Sequence, residues 1–333
     1  MRLGSSDARR ALILCLLTSC ARAHGQAHSS ARNPPASSDA RAVVGAAAES
    51  PVCVASGVLE RGRDRSPRRD ETPRHTVRVE AFCMDATLVT RAQFARFVAA
   101  TGYRTDAERR TTPMESLEGF GDWEWQRVFD GDWRRPFSVE NADTRQFLAD
   151  DAPVVMVSFH DANAYCAWRG GALPTEAQWE YAMRAGRAGE RYPWGNSPTD
   201  DAGVPRLNYW QGASHARNDR LDPYVYVSPV RAFAPNAWGF YDPVGNVWQW
   251  TADPYELDTY ARAAGVGRDA GAFDASATDA SSRDAATVVQ RVTRGGSWWC
   301  AQCTCQGYGL WYRGHNDPSA AFSNLGFRCA YRR

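Results

Sequence analysis

Residues 294–305 read Arg-Gly-Gly-Ser-Trp-Trp-Cys-Ala-Gln-Cys-Thr-Cys, so Cys300, Cys303 and Cys305 fall within six residues behind a tight Gly295-Gly296 turn. Thiols this close have three fates open to them: oxidation to a disulfide that leaves one spare, capture of a soft metal, or chemistry as thiolates. Zinc is the weakest of the metal readings, because it wants a fourth ligand and the nearest histidine in sequence, His315, follows no finger spacing. A structural disulfide, a soft metal such as Cu(I) or iron–sulfur iron, and thiolate chemistry all stay open on these residues alone.

The other end of the chain speaks to compartment. Arg2, Arg9 and Arg10 precede an apolar run from Ala11 to Leu17 that is too short to span a bilayer, and we read residues 1–20 as a signal peptide. Leu17-Thr18-Ser19-Cys20 resembles a bacterial lipobox that would leave a lipidated Cys20, while Ala21-Arg22-Ala23 offers an ordinary secretion site. The lipobox reading predicts an exported protein of the bacterial cell envelope or periplasm, touching the membrane only through its lipid. Residues 21–50, rich in Ala, Ser, Arg and Pro, hold too little apolar surface to offset ordering entropy and read as a disordered tether. Residues 51–333 then form one domain, since no second linker of that composition follows.

A formal net charge of +1 argues against nucleic acid as a partner, because phosphate binding needs a basic face. Thirteen Trp and thirteen Tyr against five Met point to a core of aromatics and irregular loops, hence an α+β fold with much coil. His75 to Phe82 alternates polar and apolar, which predicts a strand. Thr90 with Gln93 makes a capping box, and Phe94, Phe97 and Val98 place a helix at 91–100, ended by Gly102. Pro153 to Val157 reads as a short apolar strand. Ser158 with Asp161 opens a helix through Cys166 and Trp168, and Thr175 with Gln178 opens another carrying Trp179 and Met183. From Tyr192 onward, turn residues interleave with Trp, as in Gly245-Asn-Val-Trp-Gln-Trp, and predict coil anchored by aromatics. Residues 264–287 are low in complexity and read as a mobile surface insertion.

Phe82-Cys-Met-Asp, Pro153-Val-Val-Met-Val-Ser, Tyr165-Cys-Ala-Trp, Leu173-Pro-Thr-Glu-Ala-Gln-Trp-Glu-Tyr, Tyr192-Pro-Trp-Gly-Asn, Gly245-Asn-Val-Trp-Gln-Trp, Arg294-Gly-Gly-Ser-Trp and Asn324-Leu-Gly-Phe-Arg-Cys follow one another in order. Together they resemble the formylglycine-generating enzyme (sulfatase-modifying factor) family over roughly residues 50–333. The resemblance implies a single compact α+β domain, distantly like C-type lectins, with little regular secondary structure.

The same resemblance implies site residues. Cys300 and Cys305 fall where the family holds Cu(I), and Ser297 falls on its active-site Ser. Arg313 and Asn324 match positions lining the peptide groove. A first Ca²⁺ site maps onto Asn208, the Tyr209 carbonyl, Asp222 and the Tyr224 carbonyl; a second maps onto Asp242, the Gly245 and Val247 carbonyls, and Gln249 where Glu is usual. All are oxygen ligands, as Ca²⁺ requires. Cys166 and Cys329 match a family disulfide, and Met183 and Leu310 replace both halves of another; Cys53 and Cys83 are left as a further candidate pair. Ala301, Thr304 and Gly307-Tyr308-Gly309 depart from the family pattern, and Cys303 is an additional thiol.

The expected activity is oxidation of a peptidyl cysteine, such as one in a sulfatase, to Cα-formylglycine with O₂, by a monomer using Cu(I) and Ca²⁺. The alternatives are a non-catalytic, Ca²⁺-stabilised envelope lipoprotein and a small-molecule oxidase on the same scaffold. Fold alone does not choose between them.

Overall fold

Two strands near the start of the described chain owe their shape to period-2 alternation. In the computed structural model, which describes residues 50–109, 113–265, 288–301, 305 and 307–333, β2 (Gly57–Arg61) and β3 (His75–Val79) form an antiparallel hairpin. Leu59 and Val79 turn inward, while Thr76 and Arg78 face solvent. The expected strand breaks after Val79, and Phe82–Met84 becomes a separate strand, β4. This β4 lies between β1 (Val52–Val54) and the C-terminal β11 (Ala330–Arg332), both antiparallel to it. A disulfide joins Cys53 to Cys83, which face each other across β1 and β4.

Three capping boxes start the main helices. Thr90 with Gln93 opens α1 (Arg91–Thr101), Ser158 with Asp161 opens α3 (Phe159–Trp168), and Thr175 with Gln178 opens α4 (Glu176–Arg184). In each, the hydroxyl accepts the N3 amide while the N3 side chain accepts the N-cap amide, which satisfies two otherwise orphaned donors. Gly102 ends α1 in the left-handed region, at φ 67°. Short α2 (Asp106–Arg109) and α5 (Thr259–Ala263) complete the helices, and β5 (Met114–Glu115) pairs with β6 (Gln126–Arg127). Cys166 of α3 is bonded to Cys329 just ahead of β11. Met183 and Leu310 lie fully buried in one hydrophobic cluster.

Two expectations are corrected. Pro153–Val157 is buried throughout, but only a single bridge from Pro153 to Thr90 is strand-like, and Met156 sits at φ 58°. The run is apolar because it is surrounded on all sides, not because it is extended. Conversely, Trp248–Pro254 is no coil but β7, at seven residues the longest of the described strands. It is central to a four-stranded sheet ordered β10 (Leu325–Gly326), β7, β8 (Arg291–Arg294), β9 (Gly314–Asn316). Trp and Thr suit a pleated, packed surface, and Trp250 is wholly buried there. Cys300 and Cys305 thus lie between antiparallel β8 and β9. Residues 266–287 of the expected insertion, and residues 1–49 with Cys20, lie outside the described residues.

Candidate active site

The thiol loop is clamped where it leaves the sheet. Arg294, the last residue of β8, and Arg313, next to β9, both reach Glu176 at the first turn of α4, at 2.6 and 2.8 Å. Arg294 also meets Glu180 at 2.9 Å and donates to the Leu310 carbonyl within the loop. Arg61 adds a contact to Glu176 at 2.6 Å, and Arg184 one to Glu180 at 2.8 Å. These pairs are buried, so each charge depends on its partners rather than on water for compensation. Burial alone would raise the Glu176 carboxyl, yet Arg61, Arg313 and Arg294 hold it well below its usual range.

This cluster corrects the expectation for Arg313. Its guanidinium is fully withdrawn from solvent and committed to Glu176 and to the carbonyls of Asp70 and Glu256, so it lines no open groove. Sequence reading missed its partners because Glu176 and Glu180, one turn apart on a helix, look like an ordinary solvated face. The only signal was Arg294 beside the double glycine.

Gly295 and Gly296 both adopt positive φ, 93° and 70°. At Gly296 a Cβ would meet the Tyr308 backbone nitrogen at 2.4 Å, so only glycine allows the loop to fold back on itself. The fold-back brings Cys300 and Cys305 together as free thiols hydrogen-bonded through sulfur. Cys300 is buried and Cys305 partly exposed. Burial pushes the Cys300 thiol up, but hydrogen bonds from Cys305, from Ser297 and from the Gly307 backbone outweigh it and bring it below its usual value. Cys305 goes the other way, raised by its hydrogen bond to Cys300 and by burial. Cys303 and Thr304 lie outside the described residues.

Ser297 Oγ accepts from Asn324 Nδ2 at 2.9 Å and from the Trp299 amide at 3.3 Å. With both acceptor directions used, its own proton is left to point at Cys300 Sγ, 3.9 Å away. Asn324 therefore sits at the thiol site as an orienter of Ser297. The departure at Gly307 has a packing reason: a Cβ there would come within 2.6 Å of the Trp248 ring and 3.2 Å of Cys300 Sγ. Trp248 fills the space that a side chain at 307 would need.

The donor set fits one metal class. Two sulfurs within hydrogen-bonding reach suit low-coordinate Cu(I), a soft cation that prefers thiolate ligands.

The first oxygen cluster also fits a cation. Asn208 Oδ1 is buried without a partner, and burial pushes the Asp222 carboxyl up to about 6. The Gln211 amide donates to both the Tyr209 carbonyl and Asp222, and the Tyr224 amide donates to Asp222 at 2.8 Å. The second cluster fits less well. Asp242, at φ 47°, keeps Oδ2 buried and unpaired and is pushed up to about 6 by burial. Gly245 and Val247 follow it in a buried turn. Gln249, however, accepts from Trp179 Nε1 and Arg328 Nε, each at 2.8 Å, and donates to the Asp242 carbonyl. Both lone pairs of its oxygen are used, so Gln249 is removed as a calcium ligand.

Comparison with known proteins agrees with this architecture. A sulfatase-modifying factor enzyme 1-like domain matches residues 38–333. The chain is 39% identical to the formylglycine-generating enzyme of Streptomyces coelicolor over 277 residues, covering 79% of this chain and 82% of the relative. It is 36% identical over 299 residues to a Bos taurus protein named inactive C-alpha-formylglycine-generating enzyme 2, covering 82% and 85%. Among solved structures, PvdO from Pseudomonas aeruginosa superposes with a TM-score of 0.57 at 22% identity, over 86% of this chain and all of that one. The chain belongs to the sulfatase-modifying factor family, whose compact α+β domain with little regular secondary structure it shares.

Proposed function

We propose that this protein is an exported, Cu(I)-dependent oxidase that converts a cysteine in an extended peptide, of the sulfatase type, to Cα-formylglycine. The observation that carries the reading is the Cys300/Cys305 pair, sulfur to sulfur, with Ser297 aimed at the more buried thiol. Relatives named as active and as inactive lie at similar identity, so overall likeness does not decide activity. A binding module has no need of a free thiol pair held this way, which favours the enzyme.

When bound, Cu(I) supplies a soft, redox-active centre for the substrate thiolate and O₂. Cys300 and Cys305 would hold it. Cys305 marks the side from which substrate enters, because it is the accessible thiol of the pair. Ser297 stabilises negative charge on Cys300 through its remaining proton, and Asn324 prevents that hydroxyl from turning away. Trp248 and Tyr308 exclude water around the buried sulfur, preserving the low-dielectric surroundings in which such hydrogen bonds are strongest.

Calcium belongs to the proposal at the Asn208, Tyr209, Asp222 and Tyr224 cluster, as a structural ion. The signal at residues 1–20 with lipidation at Cys20, the tether at 21–50 and the catalytic domain at 51–333 describe a monomer displayed at the cell envelope. The test is to load reduced protein with Cu(I), add a Cys-Xaa-Pro-Xaa-Arg peptide and O₂, and look by mass spectrometry for an aldehyde at the cysteine. Aldehyde formation supports the oxidase; absence of product together with absence of bound Cu(I) returns the protein to the binding-module reading.

A further inference from the structure

The geometry points to His215, held by Asp122, as a positioning residue for Cys300. His215 is wholly buried against two indoles, with ring centroids 4.9 Å from Trp210 and 3.8 Å from Trp299, which touch each other at 5.1 Å. Its Nε2 lies 2.6 Å from the Trp299 carbonyl oxygen and its Nδ1 2.8 Å from Asp122 Oδ1. The Trp299 carbonyl can only accept, so Nε2 is the donor in that contact. The Asp122 carboxylate also accepts the backbone amide of His215 at 3.1 Å, which locks ring and backbone to one anchor.

The bond to Trp299 matters because of where that carbonyl sits. It belongs to the peptide unit whose N–H is that of Cys300, and this N–H donates to the Ser297 carbonyl at 3.0 Å. A peptide unit is planar, so holding its oxygen at one side and its hydrogen at the other fixes its orientation and the Cα of Cys300 with it. The next carbonyl, that of Cys300 itself, accepts the Trp210 amide at 3.0 Å. Residues 210–215 therefore grip the backbone on both sides of the buried thiol. A purely apolar side chain at 215 would leave the Trp299 carbonyl without this donor, and an unpaired buried carbonyl is costly enough to turn the peptide. His215 thereby sets where the Cys300 sulfur points relative to Cys305.

This inference rests on the Cu(I) reading of the pair, and its test separates the two. Full-length protein carrying His215→Leu, His215→Gln or Asp122→Asn is compared with the parent for thermal unfolding, for Cu(I) affinity by competition with a chromogenic chelator, and for kcat and KM on the cysteine peptide. Outer partners of metal ligands are commonly worth about 10–100-fold in affinity or activity. His215→Leu is expected to lose Cu(I) affinity and kcat in that range with KM little changed, and His215→Gln, which keeps an N–H for the Trp299 carbonyl, to recover most of both. A folded His215→Leu protein with parental Cu(I) affinity and kcat overturns the inference. If the Leu variant does not fold, the Gln and Asp122→Asn variants decide: recovery in the first and an intermediate loss in the second support it, and equal losses in both overturn it. A metal-free readout covers failure of the copper reading itself. In metal-free protein the ratio of iodoacetamide labelling at Cys300 and Cys305 reports how the two sulfurs are held, and His215→Leu should shift that ratio; an unchanged ratio also overturns the positioning role.

Discussion

Arg313 Nε lies 2.8 Å from Glu176 Oε1, with both side chains sealed from solvent, and this pair ties the end of the thiol loop to helix α4. Arg294 ties the beginning of the same loop to the same carboxylate. The loop that carries Cys300 and Cys305 is therefore closed by one glutamate gripped from both sides. Arg313 acts on the site by holding its frame.

That relationship gives opposite expectations for stability and substrate affinity. Arg313→Ala should cost about 1–3 kcal/mol in urea unfolding, the range for leaving buried acceptors such as the Asp70 and Glu256 carbonyls without their donor, while KM of the fraction that stays folded moves little. A stable Arg313→Ala protein with a sharply raised KM would restore the groove-lining role.

Gly307 tests the packing account. Gly307→Ala drives a methyl into the Trp248 ring and should destabilise by about 1–3 kcal/mol, as overpacking does, and should weaken Cu(I) binding. Trp248→Leu makes room, so the double variant should be less damaged than the sum of the single changes. Strict additivity in a double-mutant cycle would mean that the two positions do not touch.

Asp161, the N3 residue of the α3 capping box, accepts from the Ser158 amide at 2.9 Å and from Tyr103 Oη and the Asp106 amide, each at 3.0 Å. Burial nevertheless raises it to about 6 from 3.8. A carboxyl whose folded-state value is raised contributes its full share of stability below the unfolded value, and that share is lost as pH rises through the folded value. Between pH 4 and pH 6 the parent should therefore lose stability relative to Asp161→Asn by up to about 3 kcal/mol. Urea titrations of both proteins at the two ends of that window check the sign; a constant difference would contradict it.

The calcium proposal is tested at the Asn208 cluster. Added Ca²⁺ should raise the unfolding temperature, with a gain of about 2.7 kcal/mol when the ion stands a hundredfold above its Kd. Asp222→Ala should abolish the gain, whereas Gln249→Ala should lower stability without removing it.

The sequence was most legible where chemistry is local. The capping boxes at Thr90, Ser158 and Thr175 place three helices within a residue or two, because each motif reports its own orphaned amides. Long-range placement was less readable. Pro153–Val157 and Trp248–Pro254 exchange their expected roles because an apolar run encodes burial without stating whether it is extended. Arg313 and Gln249 matched family positions by sequence, yet Glu176 in one case and Trp179 with Arg328 in the other claim the atoms that a ligand would need. His215 carried no signal at all, since its partners Asp122 and Trp299 lie 93 and 84 residues away.

The central claim is that Cys300 and Cys305 together form the oxidising centre. Mass spectrometry of a cysteine peptide after incubation with Cu(I)-loaded protein and O₂ tests it most directly when Cys300→Ser, Cys305→Ser and Cys303→Ser are run beside the parent. Aldehyde is expected from the parent and from Cys303→Ser, and none from either of the other two. Aldehyde from Cys300→Ser or Cys305→Ser, or its loss in Cys303→Ser alone, would contradict it.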